Sequence, residues 1–174
     1  MEKMEVKIIF KDIYCIPVSY EHINQGWLSW MNNTNITTHI NQNNQQYTNQ
    51  DLVKYLDEKR SKFFLACYSK NQVYFGNLRI YELTKGVASF GRLIGHDKFT
   101  GKGFGKKLCD LAISLIFNYL KYDTIVVGNQ KKNIQSAKSK IQSGFRLASE
   151  EELFSLGLTK HPSGDLYILR SQLI

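Results

Sequence analysis

The apolar positions change period along the chain, and each change predicts a strand or a helix. Short runs of apolar and β-branched residues bounded by turn-forming residues predict strands. Such runs occupy residues 6–18 (one strand or a tight pair), 63–69, 73–83, 87–95, 124–129 and 164–171. The runs between residues 63 and 95 are joined by short links, so we expect an antiparallel meander there.

Other segments carry apolar residues at helical spacing. In residues 20–31 one side of a short helix carries Ile23, Trp27, Trp30 and Met31. Thr48 and Asp51 form a near capping box, which predicts the start of a helix over residues 48–60.

Two further helices are predicted in the second half of the chain. A long one follows the glycines near residue 103, with an apolar stripe of Phe104, Leu108, Leu111, Leu115 and Tyr119. The other spans residues 133–143 and ends at Gly144, a residue type that closes helices in a left-handed conformation. A short EEELFSL helix is expected before the last strand. This order of elements predicts a mixed α/β domain.

Composition narrows the class of protein. The 174 residues suit one domain, spanning 1–174, and 43% hydrophobic with 22% charged residues is ordinary for a globular protein. We find no apolar run of membrane-helix length and no secretory signal, so we expect a cytoplasmic protein that does not act on membranes. The three cysteines show no metal-ligand or disulfide spacing, so we expect no metal.

The net charge of +8 favours an anionic ligand. Two groups of lysines stand out along the chain: Lys98, Lys102, Lys106 and Lys107, and then Lys131, Lys132, Lys138 and Lys140. A solvated surface explains many such lysines, and their position around a glycine loop favours a phosphate ligand. No basic helix interleaved with aromatic residues is present, so we expect no nucleic-acid partner.

The glycine loop is the stretch GKGFGKK at residues 101–107. It lies between a predicted strand and a predicted helix, where free helix N-terminal amides and the helix dipole favour an anion. It is not a P-loop, because Lys107 follows where Ser or Thr is required. Its glycine spacing and the antiparallel strands before it also do not fit a dinucleotide-binding fingerprint. A plain tight turn is the remaining alternative.

Residues 87–145 resemble the GCN5-related N-acetyltransferase (GNAT) family. Thr100-Gly101-Lys102-Gly103-Phe104-Gly105 is similar to the family signature Arg/Gln-x-x-Gly-x-Gly/Ala, with Thr100 at the first position. Asn133 and the later Gly144-Phe145 match a second family element. The resemblance implies a mixed, mostly antiparallel central sheet flanked by helices. It also implies that acetyl-coenzyme A (acetyl-CoA) lies between two central diverging strands.

The resemblance assigns residues to the cofactor. It implies that the pyrophosphate lies on Thr100, Gly101, Lys102, Gly103, Phe104 and Gly105, with Lys106 close by. The pantetheine arm is implied to run along Leu93, Ile94 and Gly95. Asn133 is implied to contact the cofactor or hold its loop. Lys138, or equally Lys131 or Lys132, is implied to meet the adenosine 3′-phosphate or to be solvated.

The resemblance assigns the catalytic groups less completely than it assigns the cofactor residues. The backbone amide at Gly95, or that at Ile94, is the implied oxyanion donor. Lys140 stands where many members carry the Tyr that protonates the leaving thiolate. Glu82 and His96 are alternative general bases. A surface carboxylate beside a turn and an ordinary loop histidine are the simpler interpretations of these two residues.

Segments 27–37 and 75–80 resemble the branch that holds ribosomal-protein alanine acetyltransferases and nucleotide-sugar N-acetyltransferases. By that resemblance Trp30, Asn32, His39 and Asn77 lie on the acceptor side. The expected partner is a small-molecule amine, most simply a nucleotide-activated amino sugar. A protein N-terminal acetyltransferase and a non-enzymatic anion-binding protein are the alternatives. The sequence leaves a homodimer open.

Overall fold

A computed structural model describes residues 6–38, 45–58, 60–160 and 164–171. The chain divides into two compact units. The first unit comprises Met1–Arg79 and Arg92–Thr100, and the second comprises Ile80–Gly91 and Gly101–Ile174. The single domain expected from the chain's length stays a prediction.

The first unit contains the order β1-β2-β3-β4-β5. Its strands are β1 (Ile8–Phe10), β2 (Ile13–Pro17), β3 (Phe63–Ser69), β4 (Tyr74–Thr84) and β5 (Val87–Ile94), of which β4 and β5 also contribute to the second unit. Both β1–β2 and β2–β3 are antiparallel pairs. The expected strand or strand pair at residues 6–18 is therefore a pair.

Three helices accompany these strands. A helical segment over Ile23–Trp27, kinked at Gly26 where φ is 153°, leads into α1 (Leu28–Met31). It is followed by α2 (Thr34–Thr37) and α3 (Asn49–Asp57). Thr48 and Asp51 cap α3 with reciprocal hydrogen bonds, as the sequence predicts. One core cluster of the unit is half aromatic and contains Ile23, Trp27, Trp30, Leu52, Ala66 and Tyr74.

The second unit contains the order β4-β5-β6-β8-β7. Its further strands are β6 (Thr124–Gln130), β7 (Arg146–Leu147) and β8 (Gly164–Arg170). The pairs β6–β8 and β7–β8 are antiparallel, whereas β5–β6 is parallel. The predicted fold class, a mixed α/β structure with a mostly antiparallel sheet, is confirmed.

The helices of the second unit are α4 (Phe104–Ser114), α5 (Ile134–Gln142) and α6 (Glu150–Ser155). The predicted stripe on α4 is buried at Leu108 and Leu111. The prediction for Tyr119 is wrong, because this residue is 70% exposed. The chain widens to a π-helical turn over Leu115–Tyr119, and the wider turn shifts the phase that regular helical spacing assumes.

Within the described ranges no helix has the length and apolar character needed to cross a membrane.

Candidate functional site

The parallel strands β5 and β6 separate almost as soon as they begin. Their registered pairs are Val87 with Thr124 and Ala88 with Ile125. Strand β6 nevertheless continues to Gln130, and its other edge stays paired with β8 to the end. Within the second unit, the registered pairing of β5 with β6 is therefore limited to the first two residues of each strand.

The glycine loop leads directly into α4. Gly101 (φ 72°) and Gly103 (φ 81°) both lie in the left-handed region that glycine adopts without strain. Gly103 is the N-cap residue of the helix, and its carbonyl accepts the first helical hydrogen bond from the Lys107 amide at 3.1 Å. A Cβ atom added at Gly101 or Gly103 would have no atom within 4 Å, so this side of the loop is open.

The amides of the loop suit an anion. Those of Lys102 and Gly103 donate to no group in the described part of the chain. They precede the first turn of an 11-residue helix, where the dipole favours negative charge. Lys102 itself is exposed. The binding of a phosphate at this loop stays a prediction.

Lys106 has a partner inside the helix. Its Nζ lies 2.8 Å from Asp110 Oδ2, and the hydroxyl of Ser143 donates to Asp110 Oδ1 at 2.8 Å. The Lys106 side chain is 40% exposed. Its ammonium is therefore held beside the first turn of α4 by a carboxylate that the sequence reasoning did not identify. Contact with a phosphate stays a prediction.

The second sequence element forms both ends of α5. Asn133 is the N-cap residue, and its Oδ1 accepts from the Ser136 amide at 3.1 Å. Its carbonyl also accepts from Asn129 Nδ2 at 3.2 Å. Gly144 follows the helix with φ 94°, the left-handed closing position that was predicted. Asn133 therefore orders the start of α5 and the loop after β6. Its contact with a cofactor stays a prediction.

Lys140 is buried within the second unit, with 4% exposure. Its Nζ donates to Asn129 Oδ1 at 2.7 Å and to Ser136 Oγ at 2.8 Å. A buried ammonium needs such acceptors, because desolvation of an unpaired charge is expensive. Lys140 thus ties α5 to the end of β6. Lys138, two residues earlier, is exposed. The acid role of Lys140 and the phosphate role of Lys138 stay predictions.

The end of β5 and the residues after it belong to the first unit. The role of Gly95 as oxyanion donor stays a prediction. The Gly95 amide donates to the Phe75 carbonyl at 2.9 Å, and the next amide, that of His96, donates to the same oxygen at 3.3 Å. The oxyanion donor assigned to Gly95 is therefore already engaged within the protein. The Ile94 amide is the alternative that remains from the sequence. In the same unit the Thr100 amide closes a turn on the Asp97 carbonyl.

The two candidate bases have local roles. His96 caps the turn Asp97–Phe99, its Nδ1 accepting from the Lys98 amide at 3.4 Å. Glu82 is exposed, and its Oε1 accepts from the Gly86 amide at 3.1 Å in the turn between β4 and β5. The simpler interpretation of Glu82, a surface carboxylate beside a turn, agrees with this position.

The acceptor-side residues lie in different environments. Trp30 is 8% exposed, and its ring covers Gly95 so closely that a Cβ there would lie 1.9 Å from Trp30 Cδ2. Asn32 exchanges hydrogen bonds with the main chain of Tyr47 at 2.9 and 2.7 Å, which gives it a structural role. Its contact with an acceptor stays a prediction. His39 lies outside the described residues.

Asn77 is 4% exposed, and its Oδ1 accepts from the Tyr74 hydroxyl at 2.6 Å. Sequence reasoning missed Tyr74, because strict alternation along a strand places residues three apart on opposite faces. It also missed His22, which is buried and contacts the Tyr68 hydroxyl through Nε2 at 3.0 Å. Burial lowers the pKa of His22. The one sequence signal that could have indicated Tyr74 and Tyr68 is the aromatic content of the strands that carry them.

Comparison with solved structures gives the class of fold. A GNAT-family acetyltransferase from Bacillus anthracis superposes with a TM-score of 0.76, covering 95% of this chain and 98% of its own, at 11% identity. Spermidine N-acetyltransferase from Vibrio cholerae, in complex with CoA and spermine, gives 0.73 over 91% and 95%, at 15% identity. An aminoglycoside acetyltransferase in complex with coenzyme A gives 0.73 over 92% and 95%, at 16% identity.

No family model matches the chain, and no curated protein matches it. At these identities the superpositions establish the fold, which is that of the GNAT acetyltransferases.

Proposed function

We propose that the protein is an acetyl-CoA-dependent N-acetyltransferase that acts on a primary amine. The observation that carries the proposal is the early separation of β5 from β6, together with the open glycine loop before α4. Separated parallel strands offer unpaired main-chain groups, and the loop offers amides at a helix N-terminus. The shared fold with acetyltransferases solved with coenzyme A supports the same function.

The glycine loop is the proposed pyrophosphate site. The amides of Lys102 and Gly103 donate to it, with those of Phe104 and Gly105 in the following turn and Lys106 beside them. Asn133 orders the loop after β6, and exposed Lys138 is the candidate for the adenosine 3′-phosphate. Bound acetyl-CoA supplies the acyl group as a thioester.

In the first unit, the end of β5 is the proposed main-chain partner of the pantetheine arm, through Leu93 and Ile94. Both residues are partly exposed. An extended ligand that pairs with a strand gains main-chain hydrogen bonds. Because the Gly95 amide is engaged, Ile94 takes the role of oxyanion donor in this proposal.

Proton transfer needs a base for the amine and an acid for the leaving thiolate. We assign the base to His96 ahead of Glu82, because Glu82 is exposed and holds a hairpin turn. Lys140 is the proposed acid, since its ammonium is buried and held by two neutral oxygens.

For the acceptor we propose a nucleotide-activated amino sugar, whose phosphates suit the net charge of +8. A peptide N-terminus is the second candidate. Both are primary amines, and the solved relatives in fold include one bound to spermine.

The test has two stages. Calorimetry with acetyl-CoA should show binding, and no heat at millimolar cofactor would refute the proposal. A thiol-release assay then offers nucleotide-linked amino sugars, free amino sugars, polyamines and ribosomal N-terminal peptides. Turnover with one class names the acceptor. Binding without turnover on any amine would favour the non-enzymatic anion-binding alternative.

A further inference from the structure

The side chain of Asn77 is half satisfied. Its Oδ1 accepts from Tyr74, whereas Nδ2 is buried without a hydrogen-bond partner in the described part of the protein. A buried donor without an acceptor costs free energy, so native proteins retain few of them. Among the described side chains that are not exposed, this nitrogen is the one buried polar atom left without a partner.

The orientation of the amide is set by its neighbour. If the amide were turned over, Nδ2 would donate to the Tyr74 oxygen. The Tyr74 hydroxyl and Asn77 Oδ1 would then both lack partners, which leaves two unsatisfied groups instead of one. Burial raises the pKa of Tyr74, so its hydroxyl keeps the proton it donates. The hydrogen bond that this pair lacks is therefore one from Asn77 Nδ2 to an acceptor atom.

The rings around Tyr74 are uncharged. Trp30 lies with its ring centroid 4.6 Å from that of Tyr74, His22 at 5.2 Å and Tyr68 at 5.4 Å. The Ser19 amide donates to His22 Nδ1 at 2.9 Å, so His22 carries its proton on Nε2 and is neutral. Burial raises the pKa of Tyr68. An amide donor beside a phenol packed among neutral rings suits an uncharged oxygen better than an anion, because an anion would be desolvated there without a counter-charge.

We propose that Asn77 Nδ2 donates to a carbonyl or hydroxyl oxygen of the acceptor substrate, and that Tyr74 is the positioning residue that fixes this donor. The inference rests on the proposed acetyl transfer. It adds a substrate requirement: the amine acceptor carries an uncharged oxygen, as amino sugars and peptides do and as plain polyamines do not.

The test uses the full chain with Asn77→Leu, Tyr74→Phe and the double variant. With an oxygen-bearing amine, Asn77→Leu should lower kcat/KM about tenfold, since a site built for a hydrogen bond loses it. Tyr74→Phe should raise KM several-fold with little change in kcat, because the donor is still present and only its orientation is lost. Neither variant should weaken acetyl-CoA binding. A polyamine lacks the oxygen, so it should react poorly with the wild type and no worse with the variants.

Stability gives an independent measurement. The double variant removes the unsatisfied Nδ2 donor and also the phenol that donates to Oδ1 of the same amide, so its Tm should equal or exceed that of the wild type. Asn32→Leu is the stability control and should lower Tm, because both ends of that amide are paired. Tyr20→Phe is the activity control. It loses a phenol hydrogen bond of the same length, to Asp57 at 2.6 Å, and should leave kcat/KM unchanged.

The two proposals fail differently. Unchanged kinetics in Asn77→Leu, or a lower Tm in the double variant, would overturn the Asn77 donor and show that the nitrogen is satisfied by an internal water. If the wild-type protein bound no acetyl-CoA, the proposed function would fail. The Tm comparison would still show whether the buried Asn77 donor lowers the stability of the folded protein.

Discussion

The glycine loop in the second unit and the Tyr74–Asn77 pair in the first unit are built in opposite ways. The loop presents main-chain amides, and its shape depends on glycines that are neighbours in sequence. The pair presents a side-chain amide whose orientation depends on Tyr74, in a core made of segments far apart in sequence. Main-chain sites can therefore be recognised from local sequence, whereas this side-chain site needed the tertiary structure.

The largest expected effect is on the main-chain site. Gly103→Val should weaken acetyl-CoA binding about 100-fold, because a branched side chain fills the open side of the loop and charge-assisted amide bonds are lost. Calorimetry measures it. Gly86→Val is the matched control: its φ is 80°, against 81° at Gly103, and both sites are open. If the two variants lost affinity equally, backbone strain would explain the effect and the loop assignment would be wrong.

The difference between the two regions also explains what the sequence could predict. The helix cap at Thr48 and the left-handed Gly144 depend on nearby residues, and both were predicted. Tyr119 was misplaced because helical spacing assumes a regular helix. The hydrogen bond of the Gly95 amide was not predicted, because its acceptor, the Phe75 carbonyl, is distant in sequence.

The second expected effect concerns Lys140. Lys140→Met should reduce the free energy of unfolding by about 1–3 kcal/mol, since Asn129 Oδ1 and Ser136 Oγ lose their buried donor. Urea unfolding measures this, with exposed Lys138→Met as the stability control. If Lys140 is also the acid, kcat of Lys140→Met should fall even under conditions in which the variant is fully folded. A folded variant with normal kcat would leave Lys140 a structural residue only.

The third effect is a pH dependence of stability that arises from His22 in the first unit. Burial lowers the pKa of His22, so the unfolded chain binds a proton before the folded one does. Stability is therefore lost as pH falls below the ordinary value of 6.5 toward the folded pKa. Thermal melts at pH 7.5 and about pH 5.5 should show a smaller Tm decrease for His22→Gln than for the wild type. Equal decreases would show that another group carries this acid sensitivity.

The smallest effect lies at the exposed pair of Arg146 and Glu152 in the second unit. Hydrogen bonds from Arg146, with one from the Ser149 amide, lower the pKa of Glu152 from 4.5 to about 2. A lowered carboxyl pKa stabilises the fold above the unfolded value and loses that stabilisation as pH falls from 4.5 to about 2. Because the pair is exposed, solvent and salt screen it.

Arg146→Met should therefore flatten the stability profile only below about pH 4.5, and by less than His22→Gln does at higher pH. The variant keeps the cap that Glu152 forms with Ser149, so α6 should remain folded. Repeating the acid titration at high salt should shrink the difference from the wild type. A difference that is independent of salt would mean that Arg146 acts through packing of its stem and not through its charge.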